Sequence, residues 1–198
     1  MAQVSRQALA RAHVHAPRLH PAHGRASGSV YPVWMRPFLL TALLLTSMLT
    51  VSRAGADDLT CSGALTGRTV EGDVTVRAGS TCTLSNVRVD GNVKVGRGAT
   101  VVLNRVRVDG NVETDSGFRA VTVVASVVDG NIQAERGANV RIENTRVNGN
   151  IELERNSGTL RVARATVDGN LKCEANTRTP TGGSNRVKGE REGQCRSL

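Results

Sequence analysis

Four cysteines have the clearest capacity for covalent chemistry in this chain of 198 residues. Cys61 and Cys82 are separated by 21 positions, and Cys173 and Cys195 by 22. A coil with turns of that length would bring each pair near the roughly 5–6 Å between Cα atoms that a disulfide needs. An even number of cysteines favours disulfides in an exported chain. Reactive thiol pairs and metal ligands are the alternatives.

Acidic residues recur at intervals of 19 or 20 residues and could bind a hard cation such as Ca²⁺. The candidate ligands are Asp90, Asp109 and Asp129. Stacked about 5 Å apart, such carboxylates repel each other by roughly 1 kcal/mol per pair in water, which a cation would relieve. The alternative is that aspartate forms turns and that arginines neutralise the acids, which predicts no metal site and no cofactor. These arginines are Arg88, Arg107 and Arg146.

A row of asparagines follows the same interval, at Asn92, Asn111, Asn131, Asn150 and Asn170. If equivalent positions stack, these amides would hydrogen-bond to one another along the stack. We therefore expect a surface ladder that consists of these five asparagines and the three arginines.

Histidine is absent from residues 57–198, because all four histidines lie in the first 56 positions. Its absence removes Ser–His and Cys–His nucleophile pairs and the histidine base on which hexapeptide-repeat acyltransferases depend. We expect no catalytic residues and no enzymatic activity. Phe118 is the single aromatic residue of this part. Stacking on sugars or on single-stranded nucleic acid is therefore disfavoured, and nucleic acid is not an expected partner.

Residues 35–56 have the composition of a secretory signal peptide. A basic start is followed by an apolar stretch and by the small residues Ala-Gly-Ala, a cleavage pattern. A membrane-spanning helix needs about 20 apolar residues, so a retained anchor is the less favoured alternative. Cleavage near Ala56 predicts a secreted protein, periplasmic or extracellular, with no stable membrane anchor. Residues 1–34 are then a disordered extension, or are not translated where synthesis starts at Met35.

One phrase, typified by Val-Asp-Gly-Asn-Val, recurs at intervals of 19 or 20 residues. Its central glycines are Gly72, Gly91, Gly110, Gly130, Gly149, Gly169 and Gly189. In each repeat, β-branched residues alternate with polar ones in three short segments, which predicts three strands that point one side inward. The glycine of this corner, and a second glycine in most repeats, are expected to supply the backbone angles of a sharp bend.

This unit predicts the class of fold. Residues 57–198 are expected to form an all-β, single-stranded parallel β-solenoid (β-helix) of about six coils of 19–20 residues, with three short strands in each coil. Coils about 4.8 Å apart would give a rod about 30 Å long. The cysteine pairs fall at the first and last coils, where they would clasp the exposed strand edges. Residues 175–185 are expected to form a loop over the last coil.

The repeats resemble those of small secreted bacterial β-solenoid proteins, which read V-[DN]-G-N-[VIL] and close with Gly-Gln-Cys, here Gly193-Gln194-Cys195. This resemblance covers residues 57–198 and implies no established activity. The spacing is also similar to that of bactofilins, polymer-forming proteins of the bacterial cytoskeleton. Bactofilins are cytoplasmic and polymerise through end coils without disulfide clasps, whereas this chain has a predicted export signal and four cysteines.

These features predict an exported, non-catalytic β-solenoid that acts as a structural or binding scaffold in the envelope or outside the cell. Regular faces with paired charges suit an envelope protein or a polyanionic polymer as the partner. The first alternative is a self-assembling, bactofilin-like filament subunit. The second is a polysaccharide-active β-helix enzyme, for which stacked acids and arginines are suitable but uniform coils without a cleft are not.

Overall fold

The computed structural model describes residues 57–198, which form short β-strands joined by turns. The predicted extension at 1–34 and the predicted signal peptide at 35–56 lie outside the described residues. The strands of 57–198 follow one another around three parallel sheets, so the predicted all-β solenoid with three strands per coil is confirmed.

Sheet 1 contains eight strands, and sheets 2 and 3 contain seven each. Sheet 1 consists of β1 (Leu59–Cys61), β4 (Val74–Val76), β7 (Val93–Val95), β10 (Val112–Thr114), β13 (Ile132–Glu135), β16 (Ile151–Glu154), β19 (Leu171–Glu174) and β22 (Arg191–Gly193). Sheet 2 consists of β2 (Gly63–Thr66), β5 (Thr81–Ser85), β8 (Thr100–Asn104), β11 (Ala120–Val124), β14 (Asn139–Glu143), β17 (Leu160–Ala163) and β20 (Thr181–Gly183). Sheet 3 consists of β3 (Thr69–Val70), β6 (Arg88–Val89), β9 (Arg107–Val108), β12 (Val127–Val128), β15 (Arg146–Val147), β18 (Thr166–Val167) and β21 (Arg186–Val187).

The stack has about seven turns, because degenerate sequence at both ends also pairs in register. At the N-terminal end β1 pairs with β4, and at the C-terminal end β20 pairs with β17. The loop predicted over residues 175–185 is therefore wrong at 181–183, which form a strand. Glycine makes this strand possible, since a Cβ on Gly182 would overlap the carbonyl oxygen of Val162.

Aliphatic side chains stack in register and fill the lumen. The buried row of sheet 1 is Val74, Val93, Val112, Ile132, Ile151 and Leu171. Sheet 2 contributes Leu84, Leu103, Val123, Ile142 and Val162 in the same way. Burial of each such side chain stabilises the fold by about 1.5–3 kcal/mol. The predicted inward face of the three segments is thus confirmed.

Glycines act at the corners for two different physical reasons. Gly98, between sheets 1 and 2, has a φ of 67°, which agrees with the predicted need for unusual backbone angles. Gly110, between sheets 3 and 1, has no such φ, and a Cβ there would lie only 2.7 Å from the carbonyl oxygen of Gly91 in the preceding coil. The prediction is wrong for this corner, where close approach of neighbouring coils requires glycine.

The corner between sheets 2 and 3 contains a glycine in the first coil, Gly67 with a φ of 64°, and is built without glycine in the later coils. In those later coils the corner residues have φ between 51° and 57° and are Asn86, Arg105, Ala125, Asn144, Arg164 and Ser184. A left-handed conformation costs a non-glycine residue about 1–2 kcal/mol. Pairing of both flanking strands with their neighbouring coils holds these residues in that conformation.

Candidate functional site

Arginines on sheet 3 connect the acidic residues of successive coils. Arg88 Nε donates to Asp90 Oδ1 at 2.6 Å, and Arg88 Nη2 donates to Asp109 one coil later. Arg107 repeats the arrangement, since its Nε donates to Asp109 Oδ1 at 3.0 Å and its Nη2 donates to Asp129. Each arginine therefore neutralises an acid of its own coil and one of the next.

Val127 interrupts the arginine row in one coil, and an asparagine maintains the contact there. Asn148 Nδ2 donates to Asp129 Oδ1 at 2.7 Å. Arg146 then donates through Nε to Asn148 Oδ1 at 2.8 Å and through Nη2 to Asp168 Oδ2 at 2.7 Å. The polar ladder is thereby continuous over five coils.

The candidate calcium ligands Asp90, Asp109 and Asp129 thus lie against guanidinium groups. The hydrogen bond to Asp90, followed by the charge of Asp109, raises the pKa of Arg88. No group of three or more His, Cys, Asp or Glu side chains within residues 57–198 is placed to hold a metal ion. An exposed ion pair contributes only about 0–1 kcal/mol to the stability of a fold. We therefore assign these arginines the role of offsetting the repulsion between stacked acids, and not that of a major source of stability.

The predicted asparagine row lies at the corner between sheets 3 and 1 and hydrogen-bonds along the rod. Each side-chain Oδ1 accepts from the backbone N–H of the equivalent residue one coil later, as between Asn92 and Asn111 at 2.8 Å. The same contact links Asn111, Asn131, Asn150, Asn170 and Glu190. The bonds are therefore side chain to backbone, and not amide to amide as the stacking argument suggested.

A buried amide ladder near the C-terminal end was not predicted. Asn156 is fully buried; its Oδ1 accepts from Gly137 N at 2.9 Å, and its Nδ2 donates to Ala134 O at 2.8 Å. Asn176 repeats the pattern one coil later and bonds in turn to Gln194. These side chains satisfy backbone groups that would cost about 1–3 kcal/mol each if left buried without a partner.

A second charged cluster, which the repeat pattern does not reveal, lies on sheet 2. The side chain of Glu143 is only 7% exposed and accepts from Arg141 Nη2 at 2.7 Å and Arg161 Nε at 2.6 Å. Arg164 Nη2 lies 3.8 Å from the same carboxylate. Hydrogen bonds from Arg141 and then Arg161 lower the pKa of Glu143. We call these four residues the Glu143 cluster.

Replacing Glu143 by glutamine is expected to destabilise the protein in a pH-dependent way. The folded pKa lies below the roughly 4.3 of an unfolded glutamate, so the carboxylate's contribution is complete above that value and is lost as the pH falls through the lowered folded pKa. The difference in melting temperature between wild type and E143Q should be constant above about pH 5 and shrink below about pH 4. Thermal unfolding across this range checks the result, and a difference independent of pH would contradict it.

The two predicted cysteine pairings are confirmed. Cys61 and Cys82 form one disulfide, with 5.7 Å between their Cα atoms, and Cys173 and Cys195 form the other, with 5.2 Å. Each bond joins adjacent coils at one end of the rod, which agrees with the role of a clasp. All four cysteines are buried.

The C-terminal end of the solenoid is closed by polar groups. Arg191 occupies the register position of the inward Leu171 one coil earlier. Its Nη2 donates to the carbonyl oxygen of Asn185 at 2.9 Å. A charge at an inward position is a device that prevents edge strands from pairing with another sheet. Beyond it the chain makes the Cys195 clasp, and Leu198 packs against the core.

The N-terminal end of the described chain is more apolar. Leu59 on β1 and Leu65 on β2 belong to the inward face and are only partly buried. A depression of about 260 Å³ lies beside Leu59 and is lined by Asp57, Asp58, Leu59, Arg68, Thr69, Val70 and Glu71. Typical small-molecule sites measure about 300–1,000 Å³ and are concave and mostly apolar. This polar depression is less suited to such a ligand.

The fold and its surface define a parallel β-solenoid with disulfide-clasped ends and continuous polar ladders. Comparison with protein-family models, with curated proteins and with solved structures found no match. Nothing helical in residues 57–198 is long and apolar enough to cross a membrane.

Proposed function

We propose that the protein is exported and acts as a non-catalytic structural or binding scaffold in the cell envelope or outside the cell. The observation that carries this proposal is the disulfide at each end of the rod. Disulfides persist in oxidising compartments and are rare in the cytosol. The predicted signal peptide at 35–56 gives the route to such a compartment.

The resemblance to small secreted bacterial β-solenoid proteins is part of this proposal. The C-terminal Gly-Gln-Cys motif of those proteins is present in this chain, where it makes contacts that close the last coil. Gln194 Nε2 donates to Asn176 O at 2.8 Å, and Gln194 Oε1 accepts from Asn176 N at 2.9 Å. The neighbouring Cys195 closes the clasp. The motif is therefore suited to ending a solenoid.

A scaffold is favoured over an enzyme because the charged groups of the ladder on sheet 3 are engaged by one another. The ladder carboxylates are held by arginines, and residues 57–198 contain no histidine that could serve as a base. Proton transfer in catalysis needs a group with a suitable pKa placed at a reacting atom. Neutralised, repeating ion pairs suit contact with a partner better than proton transfer.

The test combines capture with a turnover screen. Oxidised residues 57–198 are immobilised and exposed to the exported fraction of the source organism, beside the same protein reduced, alkylated and unfolded. We expect the folded protein, and not the unfolded control, to retain a partner. In the turnover screen, we expect the folded protein to release no new reducing ends from acidic polysaccharides. Release of reducing ends that depends on the folded protein would overturn the non-catalytic assignment.

A filament subunit is the second candidate, and the apolar N-terminal end favours it. The inner coils repeat in register, so a further coil could add to the edge strands β1 and β2 where Leu59 and Leu65 are partly exposed. Arg191 opposes the same process at the other end. Continuous growth needs two adhesive ends, and for this reason we place the filament second.

Export predicts a definite N-terminus. If Ala56 is the last residue of a cleaved signal peptide, protein recovered from the exported fraction should begin at Asp57 or within a residue or two of it. N-terminal sequencing or intact-mass measurement checks this. Recovery of the chain in the membrane fraction with residues 37–52 still attached would contradict it.

A further inference from the structure

The Glu143 cluster carries more positive than negative charge. One buried carboxylate faces three guanidinium groups, whose side chains remain 46–57% exposed. Glu143 is also the single acidic residue among the strands of sheet 2, all within the described 57–198. Three arginines against one glutamate leave the cluster with a net charge of +2, and these strands contain no further acid to offset it. On sheet 3, by contrast, Arg107 alone contacts two aspartates.

The buried carboxylate also orients the guanidinium groups. Arg141 and Arg161 occupy the same register position on the adjacent strands β14 and β17, so they lie about 4.8 Å apart along the rod. Glu143 binds Nη2 of Arg141 and Nε of Arg161, which leaves further N–H groups of both side chains free to donate outward. Paired, planar donors are the geometry that binds a carboxylate or sulfate group through two hydrogen bonds.

Towards the N-terminal end, the outward face of sheet 2 is uncharged and its side chains are mostly small and polar. The polar outward residues are Thr81, Thr83, Ser85, Thr100, Asn104 and Thr122, and the half-buried apolar residues Val102, Ala120 and Val124 lie between them. Thr122 lies in register with Arg141, so a hydroxyl group adjoins the Glu143 cluster, and Val102 separates it from Thr83 in the same row. Hydroxyl and amide groups donate and accept hydrogen bonds, which suits a ligand that is itself rich in hydroxyl groups.

We propose that sheet 2 binds an acidic polysaccharide, an inference that rests on the proposed scaffold function and names its partner. A carboxylate or sulfate group of the polymer binds the guanidinium groups of Arg141 and Arg161. Sugar hydroxyl groups then bond to the threonine and serine side chains along the sheet. Single-stranded nucleic acid fits this face less well, because base stacking needs exposed aromatic groups and Phe118, the one aromatic residue of 57–198, is buried.

The experiment measures affinity for dextran sulfate, polygalacturonate and neutral dextran by biolayer interferometry with oxidised residues 57–198. Wild type should bind the two acidic polymers, more weakly as salt is raised, and should not bind neutral dextran. R161Q should weaken binding about tenfold or more, which corresponds to the loss of one charge-assisted contact. R146Q is the matched control, since Arg146 is similarly exposed but lies on sheet 3, and it should change affinity less than about twofold.

A second variant avoids any loss of stability at Arg161. Thr122→Glu adds a carboxylate beside Arg141 without removing an existing ion pair, and should weaken polymer binding to a similar extent. Thr75→Glu on sheet 1 is its control and should have no effect. Equal binding by T122E and wild type, no binding of either acidic polymer, or tighter binding of oligo-dT than of both polymers would overturn the inference. The scaffold proposal would survive these results, because the capture and turnover experiments test it separately.

Discussion

Replacing Ile151 by aspartate is expected to prevent stable folding. Ile151 is fully buried in the lumen between Ile132 and Leu171 of the adjacent coils. An aspartate there would place an unpaired charge in an aliphatic row, where no hydrogen-bonding partner can reach it. We expect a loss of about 4 kcal/mol or more, which is a large part of the stability of a small domain.

Urea unfolding followed by circular dichroism measures this loss. The control is Thr75→Asp, which introduces the same side chain at an outward, exposed position of the same sheet. Its effect should stay within about 0.5 kcal/mol, as for most surface substitutions. Similar losses for I151D and T75D would show that the assigned inward and outward faces are wrong.

Removing the disulfides is the second change with a large expected effect. Each bond closes a loop of about 20 residues, which in the chain-entropy model stabilises the folded state by about 3 kcal/mol. C61S/C82S and C173S/C195S should each lower the melting temperature. The two ends should differ in association: loosening the N-terminal clasp exposes Leu59 and Leu65, whereas Arg191 still protects the C-terminal end.

Light scattering and thermal unfolding of the two double variants check this prediction. C61S/C82S should associate at concentrations where C173S/C195S stays monomeric. Mass spectrometry of the oxidised parent protein should find the pairs Cys61–Cys82 and Cys173–Cys195. Free thiols, or crossed pairing of the two ends, would contradict the clasp assignment.

The fold was predictable because the same physical requirement recurs in every coil. A residue such as Val112 must be apolar, since its neighbours above and below share one narrow lumen. The fixed interval therefore gave both strand number and register. The end coils were harder to predict, because Arg191 and Gly182 replace the aliphatic pattern where the solenoid must stop repeating.

The surface was predictable only where it repeats. The arginine row of sheet 3 and the asparagine row were visible because their positions recur at intervals of 19 or 20 residues, with Val127 the one interruption among the arginines. The Glu143 cluster occurs once: Arg141 and Arg161 are in register, but no other coil has an acid at the position of Glu143, so no repeated row identifies it. Ala125 likewise carries no turn signal; its left-handed backbone is imposed by the pairing of β11 and β12 with their neighbours.

We propose that clasped ends keep this solenoid a discrete scaffold and prevent it from polymerising. Sedimentation velocity of oxidised residues 57–198, over a hundredfold range of concentration, tests this proposal. We predict one species with the mass of a single chain at every concentration. Sedimentation coefficients that rise with concentration, or fast-sedimenting filaments under oxidising conditions, would contradict the account and favour the filament subunit.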